Sequence, residues 1–209
     1  MDVRYIEKSV SMRRFSLLIC ALLVSWSAVA QEGVWSMLQR VSEYMDSKNG
    51  YEVQFSIDAE GFTSHGRYCV KGDLYYISVA DAEVYADGEV RYEVDNARRE
   101  VNVDVMNADS HNILDNPTRC FDFVEEDYTA AIVESSGEDV VLSLRAKDEK
   151  VEGEIFLTVD SKTACPKEVK YTLYDDVIKV VVEQVEHKHD DVKSFNRSQY
   201  KDYEIIDFR

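Results

Sequence analysis

Cysteine, proline and glycine are scarce in this chain. Its 209 residues include 4 cysteines, 2 prolines and 8 glycines. So few cysteines, at long spacings, build neither a disulfide framework nor a cysteine metal cluster. Past residue 30 only Cys69, Cys120 and Cys165 remain. At most one pair can close, and a small buried hydrophobe is the ordinary state of each. With so little proline and glycine there is no low-complexity tract or linker. Basic residues are outnumbered as well: 24 Lys and Arg face 41 Asp and Glu, for a net charge of −17. An acidic surface of this kind repels nucleic acid and anionic membranes and favours solubility. Nucleophile elbow, phosphate loop and dinucleotide fingerprint are all missing, and Ser135-Ser136-Gly137 reads as a turn.

No apolar run reaches the roughly 20 residues a membrane-spanning helix needs. The longest, Phe15 to Val24, follows Arg13-Arg14 and precedes Ala28-Val29-Ala30. A basic start, a short apolar stretch and a small-x-small end predict a cleavable secretory leader over residues 1–30. Cys20 follows bulky Ile19 inside the apolar run, a poor setting for lipidation. The expected product is one soluble domain over 31–209. It is more acidic still, because Arg4, Lys8, Arg13 and Arg14 leave together with only Asp2 and Glu7.

The remainder is dominated by alternation. Val34 to Lys48 is the one amphipathic helix, with Val34, Leu38, Val41 and Met45 on one stripe and Asn49-Gly50 as its stop. The period then falls to two. Tyr51, Val53, Phe55 and Ile57 alternate with polar residues, and strands follow over Phe62–Val70, Leu74–Ala80 and Glu83–Ala86. Asp87-Gly88 is a hairpin signal before Val90, Tyr92 and Val94, which turn into Val101, Val103 and Val105. The pattern breaks over 107–126, where Asn116-Pro117 predicts a helix start. Strands resume at Tyr128–Val133, Val140–Arg145, Glu152–Val159, Val169–Tyr174 and Val177–Val185. The tail from Val192 is polar until Ile205, Ile206 and Phe208.

About eleven short strands joined by tight turns predict a mainly β fold, a strongly curved antiparallel sheet with few helices. Val53, Phe55, Ile57, Ile77, Val79, Tyr92, Val94, Val101 and Val103 are expected on one side of it. Such a stripe fills a core, or it lines a cavity for an elongated apolar ligand. The shortage of helix to fill the concavity favours the cavity. Polar chemistry offers less. His187-Lys188-His189-Asp190-Asp191 has metal-ligand composition, but it follows a long strand where a solvated loop belongs. Asp104, Asn107 and Asp109 lack the glycine and glutamate of a calcium loop.

Four stretches carry a likeness to a known family. They are the helix followed by Tyr51-Glu-Val-Gln-Phe-Ser56, and the hairpin Val84-Tyr-Ala-Asp-Gly-Glu-Val-Arg-Tyr-Glu-Val94. The other two are Asn116-Pro-Thr-Arg-Cys-Phe121 and the ending Tyr203-Glu-Ile-Ile-Asp-Phe-Arg209. In this order they resemble the periplasmic outer-membrane lipoprotein carriers, the LolA-like proteins. The resemblance implies an incomplete β-barrel of about eleven strands with an α-helical lid, and a hydrophobic cavity for acyl chains. It implies no catalysis and no cofactor. Lid residues here would be Trp35, Leu38, Val41, Phe121 and Phe123. Cargo would come from an inner-membrane lipoprotein-releasing transporter and go to an outer-membrane acceptor, carried by a monomer. One departure is plain: the family's Arg-Pro turn after the second strand is replaced by Lys71-Gly72-Asp73. A periplasmic lipid- or protein-binding sensor of the same fold is the alternative, and a hydrolase using His187 and His189 is a third reading.

Overall fold

The computed structural model describes residues 33–46, 48–59, 61–107, 118, 124–174, 176–188 and 191–209. Residues 33–44 form helix α1. It ends where the Asp46 carboxylate accepts from the Lys48 amide (2.9 Å) and the Asn49 side chain (2.6 Å). Gly50 then takes φ +73°, a left-handed conformation open to a residue without Cβ. Two hairpin runs follow. The first comprises β1 (Tyr51–Ala59), β2 (Phe62–Lys71), β3 (Leu74–Val79), β4 (Ala82–Asp87), β5 (Val90–Asp95) and β6 (Glu100–Val105). A single helical turn, α2 (Val124–Asp127), leads into β7 (Tyr128–Ser136), β8 (Asp139–Ala146), β9 (Glu154–Asp160), β10 (Pro166–Leu173) and β11 (Asp176–His187). A 3-10 turn at Arg197–Tyr200 precedes β12 (Glu204–Asp207).

All twelve strands join one open sheet, in the order β12-β6-β5-β4-β3-β2-β1-β11-β10-β9-β8-β7. It is mostly β and unclosed, an incomplete barrel. Each run is a meander in itself, but β11 returns to the first strand, so β1 lies mid-sheet between β2 and β11. Every pair is antiparallel except β12, which lies parallel to β6 and makes the ladder one strand longer than the periodicity predicts. Among the described residues no helix is long and apolar enough to cross a membrane.

Register fixes two faces. On the inner face, Tyr51, Val53, Phe55 and Ile57 stand opposite Val70, Tyr68, Gly66 and Ser64 of β2. The row continues through Tyr75, Ile77 and Val79 of β3 to Ala86, Val84 and Ala82 of β4. At β5 it meets Arg91, Glu93 and Asp95, because Ala86 pairs with Arg91 and Val84 with Glu93. One expectation is therefore corrected: Tyr92, Val94, Val101 and Val103 point to the outer face, away from Phe55 and Ile77. The two-residue Gly88-Glu89 turn carries the strand back with Tyr92 opposite Tyr85, so the second stripe continues the other side of β4.

Three apolar clusters follow from these faces. Val34, Leu38 and Val41 of α1 bury against Val140, Leu142 and Leu144 of β8 and Leu157 and Val159 of β9. Met45, at the end of α1, packs with Tyr51, Val53, Val70, Tyr75, Ala86 and Met106 on the inner face. On the outer face Cys69, Tyr76, Tyr85, Val94, Val101 and Val103 are covered by Tyr200, with Val192, Phe195 and Tyr203 beside it. Leu157 is fully buried between α1 and the sheet. Leu157→Ala should cost about 2–5 kcal/mol, read as a shift of the urea midpoint at constant slope.

Candidate functional site

The inner face is only partly covered. α1 lies over β8 and β9, and its guanidinium at Arg40 donates to the carbonyls of Ser161 (3.1 Å) and Lys162 (2.5 Å) in the β9–β10 turn. Its last turn sets Tyr44 edge-on against His187, with ring centroids 4.6 Å apart. Burial, reinforced by Cys165, pushes the Tyr44 hydroxyl up to about 12. Leu38 and Val41 are thus core residues of the helix–sheet seam, and Trp35 is a half-buried flank of it. Phe121 and Phe123 lie outside the described residues.

Beyond the helix, a row of apolar side chains stays half-open. Phe55 and Ile57 of β1, Ile77 and Val79 of β3, Val180 and Val182 of β11, and Tyr171 and Leu173 of β10 are all intermediate in exposure, and Ile178 is exposed. Pairing brings them into one patch: Ile57 faces Val180, Phe55 faces Val182, and Tyr171 faces Ile178. Val53 closes its buried lower end beside Met45. On β2 the small residue Gly66 lies between Phe55 and Val79, with Ser64 beside Ile57 and the larger Tyr68 beside Ile77. Small residues between bulky ones make a trough, and the Phe55 ring lies across its floor. A Cβ built on Gly66 would meet that ring at 2.6 and 2.8 Å and the Ser78 carbonyl oxygen at 2.9 Å. Register thus keeps Phe55, Ile57, Ile77 and Val79 on the inner face and sends Tyr92, Val94, Val101 and Val103 to the other. A glycine inside a strand is a mark of close approach by a neighbouring group.

The outer face carries polar chemistry that periodicity does not show. The Glu83 carboxylate accepts from the hydroxyls of Tyr76 (2.6 Å), Tyr85 (3.0 Å) and Tyr200 (2.9 Å) and from the Lys193 ammonium (2.8 Å). Burial alone would raise its pKa. The bonds from Lys193, Tyr76, Tyr200 and Tyr85 outweigh burial and hold it down to about 2. Beside this hub, an open cleft of ≈ 300 Å³ is lined by Glu52, Arg67, Cys69, Tyr76, Asp191 and Lys193. Its charges are of both signs and neighbour one another. The Cys69 thiol donates to Glu52 (3.1 Å), and burial with the adjacent carboxylate pushes it up to about 12, so it stays protonated at neutral pH. Cys69 and Cys165 are both free thiols. His187 sits at the end of β11, and His189 lies outside the described residues. Among the described residues no group of three or more His, Cys, Asp or Glu is placed to hold a metal ion.

Comparison with solved structures finds the same fold elsewhere. An uncharacterized conserved protein from Thermus thermophilus is similar over 83% of this chain and 98% of its own, at 7% identity and a TM-score of 0.54. A putative outer membrane lipoprotein-sorting protein domain from Vibrio parahaemolyticus aligns over 82% of this chain and 97% of its own, at 8% identity and TM-score 0.43. The MucA/MucB complex of Pseudomonas aeruginosa aligns at 18% identity and TM-score 0.41, with 79% of this chain against 59% of the other. No curated protein matches the sequence. The family described as outer membrane lipoprotein carrier protein LolA matches residues 24–173, from before α1 to the end of β10. With most of its length inside that match, the chain belongs to the LolA outer-membrane lipoprotein carrier family.

Proposed function

We propose that this protein is an exported, periplasmic carrier that shelters lipoprotein acyl chains in the inner-face trough and moves them from the inner to the outer membrane. The half-open apolar row over β10, β11, β1, β2 and β3 carries the reading, since α1 covers only the other half of that face. A methylene removed from water is worth about 0.8 kcal/mol, so an acyl chain gains most from a dry, elongated floor. Gly66 and Ser64 provide depth, and the Phe55 ring provides contact. The role requires binding and release and no catalytic group. An inner-membrane transporter would load the trough, and an outer-membrane acceptor would empty it.

The test is equilibrium titration with a fluorescent fatty-acyl probe. Wild-type protein is expected to bind, and Phe55→Glu to weaken binding by about tenfold or more while the thermal transition is retained. A buried charge against acyl carbons has no partner there. Equal affinity in the two proteins would remove the trough from the mechanism. A second reading, a sensor whose inner face binds a lipid signal or a protein, is favoured by Lys71-Gly72-Asp73 standing where the resemblance expects an Arg-Pro turn. A sensor would hold its partner in a stable complex and pass no acyl chain to acceptor vesicles.

A further inference from the structure

The ≈ 300 Å³ cleft of the outer face lies between the start of the tail, at Asp191 and Lys193, and strands β1 to β3. Its floor is one row across those strands, because Glu52 stands opposite Cys69 and Cys69 opposite Tyr76. All three are buried, at 9%, 3% and 2% exposure. Their ends are nonetheless polar. The Cys69 thiol donates to the Glu52 carboxylate (3.1 Å), and the Tyr76 hydroxyl donates to Glu83 (2.6 Å). An outer sheet face ordinarily exposes its polar residues or buries apolar ones, since burying a carboxylate works against folding. A buried polar row beneath open space therefore points to something other than stability. The volume is at the lower end for small-molecule sites, which run from roughly 300 to 1,000 Å³.

Arg67 comes from the next row of β2, opposite Gln54 and Ser78, and its side chain is exposed. Its guanidinium lies 5.4 Å from the centre of the Tyr76 ring. Among the described residues it makes no ion pair, in a chain whose acidic residues outnumber its basic ones 41 to 24. A guanidinium resting on a ring keeps most of its N–H fork for a planar anion. The Lys193 ammonium, held by Glu83 (2.8 Å) and the Tyr76 hydroxyl (3.3 Å), adds a second positive charge. Glu52 and Asp191 supply the negative ones. A ligand of a single sign meets its own sign in this cleft, whereas a molecule carrying both signs satisfies each. We infer that the outer-face cleft binds a small zwitterion, with a primary ammonium received by Glu52 and Asp191 and a carboxylate or phosphate taken by Arg67. A free amino acid-like solute and an ethanolamine-phosphate lipid head group share that chemistry. The site stands apart from the acyl-chain reading, since its side chains lie on the face opposite Phe55 and Ile77.

Isothermal titration calorimetry on the purified protein tests it. The probes are β-alanine and O-phosphoethanolamine, each set against its single-charge halves: ethanolamine, propionate and inorganic phosphate. At least one zwitterion is expected to bind about tenfold or more tighter than either of its halves. Arg67→Gln and Glu52→Gln should each lose about tenfold in affinity with the far-UV spectrum retained. Arg67 is exposed, so its variant keeps the result readable if the buried Glu52 variant misfolds. Phe55→Glu should bind the zwitterion as wild type does, which separates this site from the trough. Vesicles of phosphatidylcholine with and without phosphatidylethanolamine distinguish the two sources. Arg67-dependent binding to the phosphatidylethanolamine vesicles, tighter than to free O-phosphoethanolamine, assigns a lipid head group, and the reverse order assigns a free solute. Failure of both zwitterions to bind would overturn the inference. So would a half that binds as tightly as the whole, which marks a simple ion site, or affinity unchanged by Arg67→Gln, which puts the ligand elsewhere.

Discussion

Deletion of residues 191–209 should abolish the cooperative thermal transition, or lower it by well over ten degrees, as followed by circular dichroism and gel filtration. The tail supplies the cover for the outer face. Phe195 stacks on Tyr92 with ring centroids 4.1 Å apart and on Tyr200 at 5.4 Å, and Tyr203 donates to Asn96 (2.9 Å). Beneath them Tyr76, Tyr85, Val94, Val101 and Val103 are 4% exposed or less. Exposing even a handful of such side chains, at about 1.5–3 kcal/mol each, forfeits on the order of 10 kcal/mol. A domain of this size has roughly 5–15 kcal/mol in total. Glu83→Ala tests the polar half of the same clasp. It leaves three hydroxyls and an ammonium without their acceptor, which should cost about 2–4 kcal/mol. The pH dependence follows from the same group. Its folded pKa of about 2 lies below the ordinary 4.5, so its contribution is complete at neutral pH and fades as the pH falls from about 4.5 to about 2. Wild-type stability should therefore drop across that window more steeply than that of Glu83→Ala, measured by urea denaturation at each pH.

Gly66→Val should disturb the trough and the sheet together. The Cβ contacts of 2.6 and 2.8 Å fall on the Phe55 ring, which can swing, but the 2.9 Å contact falls on the Ser78 backbone carbonyl, which cannot move without opening β2 from β3. Overpacking of this kind costs about 1–3 kcal/mol, and a branched residue sits at the upper end. Acyl-probe affinity should fall with it, because the displaced ring occupies the floor. The combination Phe55→Ala/Gly66→Ala separates the two contacts. Removal of the ring should relieve part of the Gly66→Ala cost and leave the part due to Ser78. If the two substitutions add within about 0.5 kcal/mol in a double-mutant cycle, the ring does not rest on the glycine as described.

Strand positions were legible in the sequence because turns and alternation coincide, as in Lys71-Gly72-Asp73 between β2 and β3 and in Asp87-Gly88 between β4 and β5. Which face each stripe would take was not. Period-two patterning says that Tyr92 and Val94 share a side, but only the register Tyr85↔Tyr92 says which side. A clue lay in Leu74-Tyr75-Tyr76-Ile77, which is apolar on both faces and so needs two covers, whereas the helix supplies one. The second cover comes from Phe195, Tyr200 and Tyr203, which are too sparse among polar neighbours to register as a pattern. Glu83 was hidden for a related reason: its partners come from β3, β4 and the tail, and no local spacing joins them. Half-open exposure in the trough was equally out of reach, since it depends on where α1 ends over the sheet.

Placing the first strand mid-sheet has a consequence for how the molecule assembles. β1 and β11 pair residues from Ala59 with Ile178 to Tyr51 with His187, contacts that span well over half the chain. The hairpins from β1 to β6, and those from β7 to β11, can close early on local turns. Their union waits for the β1–β11 seam, the costliest loop closure in the molecule. Until then β1 presents an open edge, and the apolar row of the inner face is divided, with Phe55, Ile57, Ile77 and Val79 on one side of the seam and Tyr171, Leu173, Ile178, Val180 and Val182 on the other. Formation of the binding surface is thus expected to be among the last and slowest events of folding, so a newly made chain should gain its affinity for acyl groups only after nearly all of it is in place.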